Sequence, residues 1–126
     1  MITMTQILHK HPPALSIRAG KLARQLIQSE GLQAEQVDIV PGAAGGPKGI
    51  GIQGLDQAIF GEFFARAPQR RTLIGSSIGS WRFASILAHG AKAGTERLGE
   101  LYTNLYFDKK MQRQEVSDIC RGMLLD

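Results

Sequence analysis

The sequence predicts an α/β fold built around a parallel sheet. Two short β-branched segments, residues 37–40 and 72–74, are each followed by a glycine-rich turn and then by apolar residues at helical spacing. Strands that alternate with helices in this way form βαβ units, in which both strands run parallel. The chain has 126 residues, of which 43% are hydrophobic and 21% charged, and this is the size and composition of one soluble domain.

The first half of the chain contains one predicted helix, one strand and a glycine-rich connection. Residues 1–13 are polar and end in two prolines, which predicts an extended leader. Apolar residues at helical spacing predict a helix over residues 16–30, which a glycine ends. The β-branched run 37–40 predicts the first strand, and the Gly, Ala and Pro residues of 41–49 predict a loop that presents its backbone.

The second half repeats this alternation. Apolar positions predict a helix over residues 55–64, and the second strand, 72–74, leads into a helix over 78–89. Further helices are predicted over 95–107 and 115–125. Two strands are few for a parallel sheet, so we expect the remaining strands of the domain to lie beyond residue 126.

Composition argues against several classes of protein. The net charge is +4, but the basic residues are scattered and not interleaved with aromatic residues, so no nucleic-acid partner is predicted. Cys120 is the single cysteine and is expected to be buried, and no Cys/His cluster has zinc spacing, so neither a disulfide nor a metal is predicted. No signal peptide or membrane-spanning stretch is recognisable, which predicts a cytoplasmic protein.

The segment from Gly75 to Gly79 matches the pattern G-x-S-x-G, with Ser77 at its centre. In a nucleophile elbow, this serine has a strained backbone between a strand and a helix, and the flanking glycines allow close packing. A β-branched strand precedes Ser77 and a helical pattern follows it, so the context favours an elbow. The alternative is an ordinary glycine-rich turn.

Residues 45–51 form a second glycine-rich segment, at the end of the other strand. Backbone N–H groups in such a loop can stabilise the oxyanion of acyl transfer by about 3 to 4 kcal/mol per donor. Because parallel strands end at the same edge of a sheet, the loop and the serine are expected to face each other there.

These two segments resemble those of the patatin-like phospholipase family. Residues 44–49, Ala-Gly-Gly-Pro-Lys-Gly, are similar to the family's G-G-G-x-[K/R]-G oxyanion loop, and residues 75–79 are similar to its elbow. The order and separation of the motifs also fit, over about residues 37–90. The resemblance implies a three-layer α/β/α fold with a mostly parallel sheet, and a lipid acyl hydrolase that uses a Ser-Asp dyad without metal or cofactor.

The resemblance also implies roles for individual residues. Ser77 is the expected nucleophile, and Gly75 and Gly79 shape the elbow. Arg82, one turn into the elbow helix, is expected to meet a lipid phosphate or water. The expected substrate is a lipid or fatty-acyl ester, with transient contact to a membrane surface. Since proline lacks an N–H, the expected oxyanion donors are the amides of Gly45, Gly46, Lys48 and Ile78.

Two features depart from the family pattern. Ala44 stands at the first glycine of the loop, which is tolerable only if that position does not require a positive φ. No aspartate of this chain precedes a glycine, whereas the family's dyad aspartate lies in a D-G-[G/A] motif downstream of the serine. We therefore expect residues 1–126 to be the N-terminal part of a single patatin-like domain, truncated or inactive, that hydrolyses esters poorly by itself.

Other chemistries fit the residues less well. His89 follows the serine but lies on the elbow helix itself, which suits a helix-end residue better than a triad base. Residues 49–54 satisfy G-x-G-x-x-G, but they do not directly follow the strand, and no acidic residue stands about 20 positions later. Lys48 does not belong to a phosphate-loop motif, because Pro47 stands where the motif needs glycine and Gly49 where it needs serine or threonine. The remaining alternative is a non-catalytic α/β module that binds an anionic ligand at the glycine loop.

Overall fold

The computed structural model describes residues 15–125, which belong to two compact units divided after Gln33. The first unit contains helix α1 (Lys21–Glu30), which ends at Gly31 with a φ of 77°. The sequence predicted a start at residue 16, but Gly20 has an extended backbone (φ −63°, ψ 168°) and α1 begins after it. Glycine is a poor residue for a helix interior, so it marks the boundary. The predicted leader, 1–13, lies outside the described residues.

The second unit, from Ala34 onward, is a mixture of helices and a small parallel sheet, in agreement with an α/β fold. Strands β1 (Ile39–Gly42) and β2 (Thr72–Gly75) pair in parallel. Ile39 lies opposite Thr72, and Gly42 lies opposite Gly75. The two strands therefore end at the same level of the sheet.

Strand β1 lies two positions further along the chain than the predicted 37–40. The Val37 carbonyl accepts a bond from Nε of Arg71 (2.9 Å), so a side chain rather than a strand satisfies it. Pairing starts where the Thr72 amide donates to the Asp38 carbonyl (2.8 Å). Pro41 is tolerated inside β1 because β2 is its one neighbour among the described strands, and proline is accepted on edge strands.

The connection between the strands is helical over most of its length and begins earlier than predicted. Ile52 (φ −102°, ψ 17°) interrupts it after the first turn. Its end lies at Ala67 (φ −137°), because a residue that precedes a proline disfavours the helical region. The successive segments are α2 (Lys48–Gly51), α3 (Gln53–Asp56), a π-helix (Gln57–Phe63) and a 3₁₀ turn (Phe64–Arg66).

Three longer helices follow, namely α4 (Ile78–His89), α5 (Ala91–Thr103) and α6 (Arg113–Leu125). The bounds predicted for α4 are confirmed. The prediction that α5 begins at Thr95 is wrong, because Gly94 lies inside the helix, where it permits close contact with α4. A Cβ on Gly94 would lie 2.6 Å from the carbonyl carbon of Ser85, and Oγ of Ser85 donates to the Gly94 carbonyl (2.7 Å).

Helix α4 is the centre of the second unit. Ile78, Phe83 and Ile86 are its buried apolar residues, and it packs against α5, on which Leu98 is buried. The Phe83 ring also meets the Phe60 ring edge to face, with centroids 5.7 Å apart. Packing on both α5 and the sheet fixes α4, and this places its first turn at the carboxyl edge of the strands.

Candidate active site

The two glycine-rich segments lie at one edge of the sheet. Because Gly42 pairs with Gly75 in a parallel register, the ends of β1 and β2 stand side by side. The loop of residues 43–47 leaves β1 at this edge, and Ser76 and Ser77 leave β2. The Ser76 amide extends the pairing by one bond, to the Gly42 carbonyl (2.9 Å).

Ser77 has a strained backbone. Its φ of 53° and ψ of −124° make it the one non-glycine residue with a positive φ in the described part of the chain. The Gly79 amide donates to the Ser76 carbonyl (3.0 Å) and closes a turn in which Ser77 has the angles of a type II′ turn, a position that favours glycine. Helix α4 begins directly after it. A strained serine between a strand and a helix is the geometry expected of a nucleophile elbow.

Three glycines allow the strand ends and α4 to approach this closely. A Cβ on Gly75 would lie 2.5 Å from Cα of Ser80, and a Cβ on Gly79 would lie 2.6 Å from the carbonyl carbon of Gly42. Gly42 itself has no room for a side chain, because a Cβ there would lie 2.7 Å from a ring carbon of Phe83. The sequence marked Gly75 and Gly79 through their motif but not Gly42, whose need for close approach depends on distant residues.

The glycine loop presents several backbone amides without acceptors. Gly46 has a φ of 55°, whereas the φ of Ala44 is not positive, so alanine fits at the first position of the motif. Within residues 15–125, the amides of Gly46, Ile78 and Gly45 have no hydrogen-bond acceptor. The Lys48 amide, by contrast, donates to the Gly45 carbonyl (3.3 Å). Lys48 is therefore the weakest of the four donors that the sequence suggested.

A cavity of about 180 Å³ joins the elbow to the glycine loop. Gly46, Ser77 and Ile78 all line it. Gly45 and Lys48 instead line a separate cavity of about 410 Å³. The structure thus brings together the serine and two of the four expected donors. The rest of the smaller cavity is mostly apolar or aromatic, and is lined by Trp81, Tyr102, Leu105, Phe107, Cys120 and Met123.

Two of these lining residues, Tyr102 and Cys120, were expected in the core rather than at the site. The hydroxyl of Tyr102 lies 3.9 Å from where a Cβ of Gly46 would stand and has no hydrogen-bond partner in the described part of the chain. Cys120, expected to be buried, is half-buried at the cavity wall. Both lie on helices whose position relative to the elbow depends on packing, so the sequence could not place them at the cavity.

No carboxylate or imidazole among residues 15–125 lines the Ser77 cavity. The Ser77 hydroxyl has no hydrogen bond within residues 15–125. His89 is the last residue of α4, and at 1.5 Å per residue this helix separates it from Ser77 by about 18 Å. Asp126 lies outside the described residues. The other aspartates accept bonds elsewhere: Asp38 from Gln69, Asp56 from Arg82, Asp108 from the Lys110 amide and Asp118 from Gln114.

The expectation that Arg82 meets a lipid phosphate or water is wrong. Arg82 is buried and forms a two-point ion pair with buried Asp56, with Nε to Oδ2 at 2.7 Å and Nη2 to Oδ1 at 2.5 Å. Arg82 lies one turn into α4, and Asp56 ends α3. The pair therefore ties the helix that follows Ser77 to the helical segment that follows the glycine loop.

Comparisons of the chain with protein-family models, curated proteins and solved structures found no match. His, Cys, Asp and Glu side chains in residues 15–125 nowhere gather in threes, as a metal site would need. The helices described for this stretch are each too short or too polar to cross a membrane. The case for a function therefore depends on the geometry around Ser77.

Proposed function

We propose that this protein is a serine acyl hydrolase of the patatin-like type, with Ser77 as its nucleophile and a lipid or fatty-acyl ester as its substrate. The observation that carries the proposal is the strained φ of Ser77 beside free amides in a shared cavity. Strain of this kind costs about 1 to 3 kcal/mol and persists mainly at functional sites. The three-layer α/β/α fold and a cytoplasmic location belong to the same proposal.

The reaction begins when Oγ of Ser77 attacks the ester carbonyl carbon. The carbonyl oxygen becomes an oxyanion, which the amides of Gly46 and Ile78 stabilise, each by about 3 kcal/mol. Collapse of this intermediate releases the alcohol and leaves the acyl group on Ser77, and water then releases the acid. The apolar walls of the cavity suit a hydrocarbon chain, since its burial is favourable by roughly 0.8 kcal/mol per methylene.

The Ser77 proton needs an acceptor. The family resemblance assigns this role to an aspartate followed by glycine, a dipeptide that this chain does not contain. A serine without a base reacts slowly, but oxyanion donors and substrate binding alone still accelerate acyl transfer by about 10³ to 10⁴ over water. We therefore expect slow acylation of Ser77, which an added base such as imidazole should accelerate.

A fluorophosphonate probe and peptide mapping test this proposal. The wild-type chain should be modified at Ser77, the rate should rise with added imidazole, and Ser77→Ala should abolish the modification. Ser76→Ala is the matched control, because Ser76 adjoins Ser77 but has an ordinary φ, and it should leave labelling unchanged. No labelling, or equal labelling of Ser76, Ser77 and Ser80, would contradict the proposal.

The second candidate is a non-catalytic module that binds an anionic ligand. The free amides of Gly46 and Ile78 favour it, as does the lack of a base beside Ser77 in the described residues. Titration with an alkyl phosphonate that cannot react distinguishes the two candidates. Binding of the phosphonate together with no covalent labelling of Ser77 would favour the module over the enzyme.

A further inference from the structure

The loop that connects α5 to α6, residues 104–112, lies at the cavity that contains Ser77. Leu105 and Phe107 line this cavity. Tyr106, between them, is 75% exposed, and Phe107 is still 44% exposed although it forms part of the cavity wall. The loop therefore presents two aromatic residues to solvent beside the Ser77 cavity.

Cations follow the aromatic residues directly. Lys109 and Lys110 lie in the loop, and Arg113 begins α6; all three are exposed and have no ion pair in the described part of the chain. Two carboxylates also lie here: Asp108 accepts a bond from the Lys110 amide (3.0 Å) and so holds the turn that carries both lysines, and Glu115 accepts a bond from the Gln112 amide (2.7 Å). This surface is aromatic and carries three cations against two carboxylates, both of which are hydrogen-bonded to backbone amides.

We propose that residues 104–113 bind the surface of an anionic lipid bilayer, so that the Ser77 cavity lies against the membrane. Tyrosine partitions into the interface because its ring is apolar and its hydroxyl stays wet. Lysine and arginine are attracted to anionic headgroups. The inference rests on the proposed function in one respect: an ester in the bilayer has a short path into a cavity beside the docking surface.

The charge and the aromatic residues make separable contributions. Each cation near an anionic surface strengthens binding about fivefold, so loss of both Lys109 and Lys110 should weaken binding by about 30-fold at low salt. This part should fade as salt rises, because the Debye length is about 10 Å at 0.1 M ionic strength. The contribution of Tyr106 is apolar, so salt should not remove it.

Vesicle flotation tests the inference with phosphatidylcholine alone and with added phosphatidylglycerol. The wild-type chain should bind the anionic vesicles, K109Q/K110Q should lose about 30-fold, and Tyr106→Ala should lose binding at both low and high salt. R66Q/R70Q is the matched charge control, since it removes two exposed arginines elsewhere. Leu87→Ala is the apolar control, since Leu87 is 74% exposed on α4. Both controls should bind like the wild type.

Several outcomes would overturn the inference. These are equal binding to neutral and anionic vesicles, equal losses in the loop variants and their controls, and binding of single-stranded RNA rather than vesicles through the same lysines. Ser77→Ala should bind vesicles normally, and K109Q/K110Q should react normally with the soluble phosphonate probe. Vesicle binding without labelling would overturn only the proposed function, and labelling without vesicle binding would overturn only the docking surface.

Discussion

Replacement of Ser77 by glycine should stabilise the protein and abolish its chemistry at the same time. The angles of Ser77 (φ 53°, ψ −124°) are the mirror image of an extended conformation, which glycine adopts without a Cβ penalty. A residue with a side chain loses about 1 to 3 kcal/mol there. Relief of this strain is offset by about 0.5 to 1 kcal/mol, because glycine makes the unfolded chain more flexible. The net expectation is a gain of about 1 kcal/mol in the free energy of unfolding.

Two further variants separate strain from other effects. Ser77→Ala keeps the Cβ and removes only an exposed hydroxyl without a hydrogen bond, so its stability should stay within about 0.5 kcal/mol of the wild type. Ser76→Gly places glycine beside the turn at a residue of ordinary φ, where it should cost about 0.5 to 1 kcal/mol. Glycine should therefore stabilise the protein at position 77 and destabilise it at position 76.

Urea unfolding followed by circular dichroism measures these differences. With a slope of about 1 kcal/mol per molar, the midpoint for Ser77→Gly should lie about 1 M above that of Ser77→Ala. A midpoint for Ser77→Gly at or below that of Ser77→Ala would refute the reasoning, because Ser77 would then carry no backbone strain. The proposed function would in that case lose the observation on which it depends.

Two other substitutions test how the site is held together. Asp56→Asn leaves buried Arg82 without its carboxylate and should lower the free energy of unfolding in urea by about 3 kcal/mol. Asp118→Asn, in a solvent-exposed pair at 3.8 Å, is the control and should lower it by less than about 0.5 kcal/mol. Similar losses in both variants would contradict the assigned role of the buried pair. Gly79→Ala places a methyl group against the backbone of β1 and should lower the free energy of unfolding by at least about 2 kcal/mol. Gly51→Ala, in a helix with open space around it, should raise the free energy of unfolding by about 0.5 kcal/mol in the same assay.

Much of the local structure could be predicted because its causes are local. A glycine on each side of Ser77, a β-branched run before it and apolar helical spacing after it were enough to predict the turn and the bounds of α4. The start of α5 was mispredicted because Gly94 resembles a helix breaker in sequence. Gly94 lies inside the helix because, without a side chain, it can contact the backbone at Ser85 of α4. This contact depends on how the two helices pack, which no local pattern shows.

The sequence by itself determined where the chain turns sharply and which serine takes the strained position, because glycine, proline and β-branched residues restrict the backbone within a few bonds. Only the tertiary structure decided which groups share the cavity with Ser77, that Arg82 is paired with Asp56 rather than free, and that Tyr102 lies near Gly46. The Arg82–Asp56 pair and the approach of Tyr102 to Gly46 join residues more than 20 positions apart. Helix packing and the parallel register of the two strands create these contacts. A short pattern of residues predicts neither the packing nor the register.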